Sequence, residues 1–324
     1  MKFCNVVMHV CIVGVGAAGC DAAAGPRGTA DRDGGYSCPA WQCGFNSAEV
    51  NGRAIRELNL DGAANSAGVK IVGFSAPAGL LGNYQLGVEN DELVATKTGA
   101  PTLKGAALIG ATILVKEPGL LSLPIPITIA GYDAIDAWAT GAPQVATYAL
   151  IYPDLGSLTG SRNVCNGDLT ELLATAATVL GGETYDLTTK TVNAGMSRWF
   201  TIACAGSAAA KMRLLNYGPH SDFDGAGHPS TVAQRQATLK MITADYCGTG
   251  TSYTANGTPL QWENAEGTVV PSGTPGDPEA VWTSSGALCL DTTRLASPSV
   301  ACTRPSCSSF SLDDGEWATY VPTP

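Results

Sequence analysis

Cysteine usage constrains this chain more than any other feature. Of its eleven cysteines, Cys4 and Cys11 lie in an apolar leader, Cys20 follows it directly, and eight remain: Cys38, Cys43, Cys165, Cys204, Cys247, Cys289, Cys302 and Cys307. An even set in a chain that leaves the cytosol reads as a disulfide framework, because the cytosol would keep the thiols reduced. Spacing alone leaves all 105 pairings of eight cysteines open. Two pairs, CPAWQC at Cys38 and Cys43 and CTRPSC at Cys302 and Cys307, share a separation that includes a proline. Because proline favours turns, each is predicted to close a small local loop. A zinc site would need CxxC pairs and more histidines than His220 and His228, the two beyond the leader. No metal and no cofactor is therefore predicted.

The framework needs an oxidising compartment, and the amino terminus points to one. Lys2 precedes an uncharged apolar run over residues 6–18, with small residues just before Cys20, the layout of a secretory signal. The run is too short to span a bilayer, which takes about 20 apolar residues. Ala17-Ala18-Gly19-Cys20 resembles the lipobox of bacterial lipoproteins, which implies a lipid on Cys20 and cleavage before it. Gly14, Gly16 and Gly19 also match the GxGxxG spacing of dinucleotide-binding loops. That pattern must open a helix inside a βαβ unit, whereas glycines and Pro26 follow here. The expected layout is a signal peptide over 1–19, a flexible tether over 20–45 with a reach of about 20 to 25 Å, a β-rich region over 46–180 and a second domain over 185–324. The expected location is the cell envelope, as a membrane-anchored lipoprotein facing the periplasm or the cell surface.

Removing the leader takes away Lys2 and no acid, leaving 17 basic against 28 acidic residues. Nucleic acid is excluded as a partner, since phosphate binding needs clustered Lys and Arg. The expected partners are the membrane, through the lipid on Cys20, and a protein or glycan ligand.

Over 46–180, short Val-, Ile- and Thr-rich runs punctuated by Gly and Pro predict strands. VATYALIYP is apolar on both alternating faces, which predicts a central strand covered on both sides. Pro124 and Pro126 remove ladder donors beside Ile125, Ile127 and Ile129, placing that stretch at a sheet edge. Leu103, Leu108 and Ile113 recur every five residues, but two repeats are too few for a solenoid, and an ordinary hairpin is expected.

Further on, Phe200, Ala203, Cys204, Ala208, Met212 and Leu215 share a helical face ending at Gly218. A second helix is predicted in STVAQRQATLKMITADYCG, with Thr231 and Gln234 as a capping box and Gly248 as the stop. Asn256-Gly257 between extended segments predicts a hairpin. The fold class expected is α+β: a β-rich amino-terminal region followed by a two-helix plus hairpin, disulfide-stabilised carboxy-terminal domain.

Three ordered blocks, WFTIACAGSAAAK, RQATLKMITADYCGTGTSYTANGT and AVWTSSGALCL, span roughly residues 195–310. With the motif Ala244-Asp245-Tyr246-Cys247 they resemble the ADYC domain family of exported bacterial proteins. The resemblance implies a lipoprotein with a variable amino-terminal half and carries no established activity. It also implies a departure, since relatives have cysteines where this chain has Met212 and Thr238. The lost pair would have tied the two helices together, leaving apolar packing to do so here.

Asp245 near a helix carboxy terminus meets unfavourable dipole potential. Its carboxylate should therefore accept N–H groups of the Gly248-Thr249-Gly250 loop or pair with an arginine, while Tyr246 packs inward and Cys247 joins a strand cysteine such as Cys289. The competing reading makes Cys247 a nucleophile activated by His220 or His228. An oxidising compartment and a helix carboxy terminus, which raises a thiol pKa, both oppose it. Asp222, Asp224 and Gly225 lack the spacing of a calcium loop and read as a solvated loop. With no catalytic motif in the chain, a binding or structural module is expected, with an envelope or extracellular hydrolase as the alternative.

Overall fold

A computed structural model describes residues 29–30, 36–37 and 47–322, less 79, 81, 158, 166–176 and 256. Cys20, Cys38 and Cys43, and with them the lipidation site and the first predicted local loop, lie outside the described residues. Within the stretch read as a tether, Thr29–Ala30 pairs with Tyr36–Ser37.

The main sheet is antiparallel, its strands running in the order Glu57–Asn59, Trp199–Cys204, Ala177–Gly181, Val145–Pro153, Ile125–Ile135, Thr112–Lys116 and Lys70–Ser75, with Ser161–Asn163 also on Val145–Pro153. Strands before and after Tyr185 interleave, so the change of pattern there falls inside the sheet. As expected, Val145–Pro153 is internal and almost wholly buried. Ile125–Ile135 is internal too, not at an edge. Pro126 is tolerated because it pairs with Leu114 on one side, while the ladder to Val145–Pro153 begins only at Thr128. Leu103–Lys104 pairs with Glu92–Thr96, and Thr112–Lys116 joins the main sheet. The five-residue recurrence therefore spans two sheets and forms neither a solenoid nor a hairpin.

The first predicted helix is corrected: residues 199–204 are a strand, and helix α1 runs only over Ala208–Leu214. The strand serves two cores at once. Phe200, Ile202 and Cys204 pack with Val179 and Tyr148 on one face, while Ala203 joins Leu180, Met212 and Tyr217 on the other. A strand apolar on both faces cannot be told from a buried helix by periodicity. Gly206 at φ +82° then turns the chain, and the Ser207 side chain caps α1 by accepting the Ala210 N–H.

Helix α2, Val232–Thr243, begins with the predicted Thr231–Gln234 capping box. It stops before Gly248, because Ala244 takes the left-handed conformation at φ 50°. Met212 and Thr238 are fully buried, on α1 and α2. Thr238 Oγ1 accepts the Trp317 indole N–H, so a polar contact adds to the apolar packing of α2.

Asn256, at the turn of the expected hairpin, lies outside the described residues, and no strand adjoins it on either side. Residues 251–255 are not strand, and Gln261–Asn264 pairs with Trp317–Val321 near the end of the chain. The four-stranded sheet also holds Asp277–Thr283 and Gly286–Leu290, which are joined by a two-residue turn, and it packs against α2 through Trp282 and Trp317.

Three disulfides cross-link the described residues: Cys165–Cys204, Cys247–Cys302 and Cys289–Cys307. The predicted local bridge between Cys302 and Cys307 is overturned, as is the pairing of Cys247 with Cys289. CTRPSC instead brings its two cysteines to two different partners, one after α2 and one on a strand. Disulfides of this kind mark a protein that matures outside the reducing cytosol. No helix among the described residues is long and apolar enough to cross a membrane.

Candidate functional site

The helix α2 terminus organises the carboxy-terminal core. Beyond the Ala244 cap, the buried Asp245 carboxylate accepts Thr249 N–H at 3.0 Å, Gly250 N–H at 2.7 Å and the Lys240 ammonium at 2.6 Å. The loop donors are those expected, while the cation is Lys240 rather than an arginine. Lys240, also buried, donates to Thr189 O at 2.9 Å as well. The two loop glycines are obligatory by shape. At Gly250, φ is +89° and a Cβ would lie 2.0 Å from Thr188 O; at Gly248 it would lie 2.1 Å from Ser285 O.

Tyr246 is fully buried, stacked on Trp282 at 5.2 Å between ring centroids. Its hydroxyl donates to Glu279 Oε1 at 2.5 Å and accepts the Arg294 N–H. Burial and the Glu279 charge push the phenol pKa far up, so it stays neutral and donates. Arg294 Nε bonds Glu279 Oε1 at 2.7 Å, and its two terminal nitrogens donate to Met241 O and Ile242 O. It thereby satisfies carbonyls left open by the end of α2 and complements the helix dipole. Cys247, bonded to Cys302, is no nucleophile.

This arrangement forms one wall of a cleft of about 200 Å³. Leu239, Ile242 and Arg294 lie on that side, Ala208 and Lys211 come from α1, and Tyr185, Leu260 and Trp262 complete the wall. Trp262 is steadied by stacking on Trp138 at 6.0 Å. The Tyr185 hydroxyl donates to Glu183, which Arg235 of α2 holds at 2.7 Å. Burial and the positive charge of Arg294 draw the Lys211 ammonium pKa down to about 8. The sequence signal for it is modest, a cation directly after three alanines and two residues before Arg213. No spacing, in contrast, announces Glu279 or Arg294 as partners of Tyr246.

The histidines sit apart from Cys247. His220 Nδ1 lies 3.0 Å from Oδ1 of the fully buried Asp91, which also accepts Gly181 N–H at 2.9 Å. His228 is exposed and pairs with Asp224, whose carboxyl is drawn down to about 2 by that hydrogen bond. Asp222 and Asp224 accept Gly227 and Ala226 N–H groups, closing their own turn as a surface loop.

Asp91 holds the His220 pKa above its usual 6.5. Since the folded value is raised, the stabilisation from this pair is complete below 6.5 and fades as pH rises through the folded midpoint. With the ring half exposed, it amounts to no more than about 1 kcal/mol. An NMR titration should place the His220 midpoint above 6.5, and Asp91→Asn should return it to or below that value.

A family model for the ADYC domain matches residues 105–296, more than half of the chain. The chain belongs to the ADYC domain family. No curated protein and no solved structure matches it. The ADYC match begins just before the main-sheet strand Thr112–Lys116 and runs through both helices. The four ADYC letters have four separate tasks here: Ala244 caps α2, Asp245 neutralises Lys240 and gathers the glycine loop, Tyr246 fills the core, and Cys247 pins the loop to Cys302.

Proposed function

We propose that this ADYC protein is exported, carries lipid on Cys20 and serves the cell envelope as a binding module, with its ligand held in the cleft between α1 and α2. The observation that carries the binding reading is the cleft itself. Its walls are apolar with a few charged groups, and they stand on helix termini fixed by two buried ion pairs and a disulfide. That is the usual make-up of a preformed small-molecule site. A cavity of about 200 Å³ suits a small molecule or the terminal group of a longer glycan or peptide. The disulfides support an extracytoplasmic site of action, and the small residues before Cys20 support the anchor.

Two experiments test the reading. Cys20→Ser should move the protein from the membrane fraction to the soluble one, and a variant that stays membrane-bound contradicts the anchor. Ligand-observed NMR against mixed neutral, acidic and basic fragments should find binders that Ala208→Trp, which fills the cleft, displaces. If no fragment binds, or if the folded variant binds the same set, the cleft is not the site.

One observation favours the alternative of a hydrolase: the Asp91–His220 pair leaves a half-exposed imidazole oriented by a buried carboxylate, the geometry of a general base. No hydroxyl or thiol among the described residues is hydrogen-bonded to that ring, so the binding reading is preferred.

A further inference from the structure

Resting on the cleft as the ligand site, we infer that its ligand is a small carboxylate, with the acid group paired to the Lys211 ammonium and an apolar body lying between α2 and Trp262.

Charge sets the first requirement on the ligand. Two cations and one acid share the cleft wall with Lys211, and each is already engaged. Arg294 bonds Glu279 and the α2 carbonyls, Lys190 donates to Leu187 O, and Asp186 Oδ1 accepts Thr188 and Thr189 N–H groups. Lys211 alone has no acceptor or acid against its ammonium among the described residues, and burial and the like charge of Arg294 both disfavour its charged form. It is anchored for this position, because its neighbours Ala210 and Met212 are fully buried on α1. A partly buried cation without a counter-ion is an unfavourable arrangement that a bound anion would relieve.

The rest of the wall specifies the body of the ligand. Leu239, Ile242, Leu260 and Trp262 are buried apolar residues that face the cleft. A phosphate or sulfate alone would leave that surface unfilled, while a carboxylate on a ring or short alkyl chain meets both needs. The size agrees: a cavity of about 150 Å³ accepts benzene, and this one, at about 200 Å³, has room for a ring plus an acid group.

Calorimetry on the oxidised full-length chain at pH 7 provides the test, using 3-phenylpropanoate, its primary amide and 3-phenylpropylamine as probes. The acid should bind at least tenfold more tightly than the amide, and the amine should not bind. Lys211→Met should lower the acid to the affinity of the amide, while Lys211→Arg keeps the preference. Because the ammonium titrates near pH 8, acid binding should also weaken several-fold between pH 7 and pH 9.5 in the wild type and not in Lys211→Met. The methionine variant should melt no lower than wild type, which separates lost binding from lost folding. If acid and amide bind equally, or Lys211→Met retains the preference, the carboxylate assignment is overturned and the cleft reading stands. If none of the three binds, the assignment is overturned, and the fragment screen with Ala208→Trp decides the cleft separately.

Discussion

Asp245→Ala should destabilise the oxidised protein by about 3 to 5 kcal/mol in urea unfolding, the loss expected when one partner of a buried ion pair is removed. Lys240 would keep its charge while exposed to only 4%, and the Thr249 and Gly250 N–H groups would lose their acceptor. The interaction is cooperative within one network, so Lys240→Met combined with Asp245→Ala should be less destabilised than the two single losses added, with a coupling of about 2 kcal/mol. A loss under about 1 kcal/mol for Asp245→Ala would mean that the motif aspartate is not buried and paired.

Replacing Cys247 and Cys302 together with serine should lower stability by about 4 kcal/mol, the loop-closure entropy for their separation of 55 residues. Part of the effect should be local. The bridge ties the segment after α2 to the loop that ends the disulfide Cys289–Cys307, so hydrogen exchange should accelerate around Thr249 and Gly250 before the main sheet responds. Uniform acceleration across Val145–Pro153 would show instead that the bridge supports the whole fold.

How much of this was legible in the sequence follows from the range of each interaction. The capping box at Thr231 and Gln234 is a local device, and it lies where the residues place it. The loop donors to Asp245 were legible for the same reason, being four and five residues away. The strand Trp199–Cys204 was not, because burial on both faces erases the alternation that distinguishes a strand from a helix. α2 carries no clean apolar stripe either: Arg235 and Lys240 point inward and are neutralised by Glu183 and Asp245. The acidic surplus of the chain accordingly does internal work as well as keeping its surface soluble. The cysteine pairing depends on how the segment after Ser297 returns to α2, and no spacing rule encodes that return. The cleft was hidden because its walls come from segments as distant as Tyr185 and Arg294.

Every structural role given to the motif cysteine depends on maturation in an oxidising compartment. Peptide mass mapping of the alkylated, unreduced protein recovered from the cell envelope tests this most directly. The expected peptides are linked as Cys165–Cys204, Cys247–Cys302 and Cys289–Cys307, together with an amino-terminal peptide beginning at a lipid-modified Cys20. An alkylated, unpaired Cys247 in a chain that still begins at Met1 would contradict oxidative maturation.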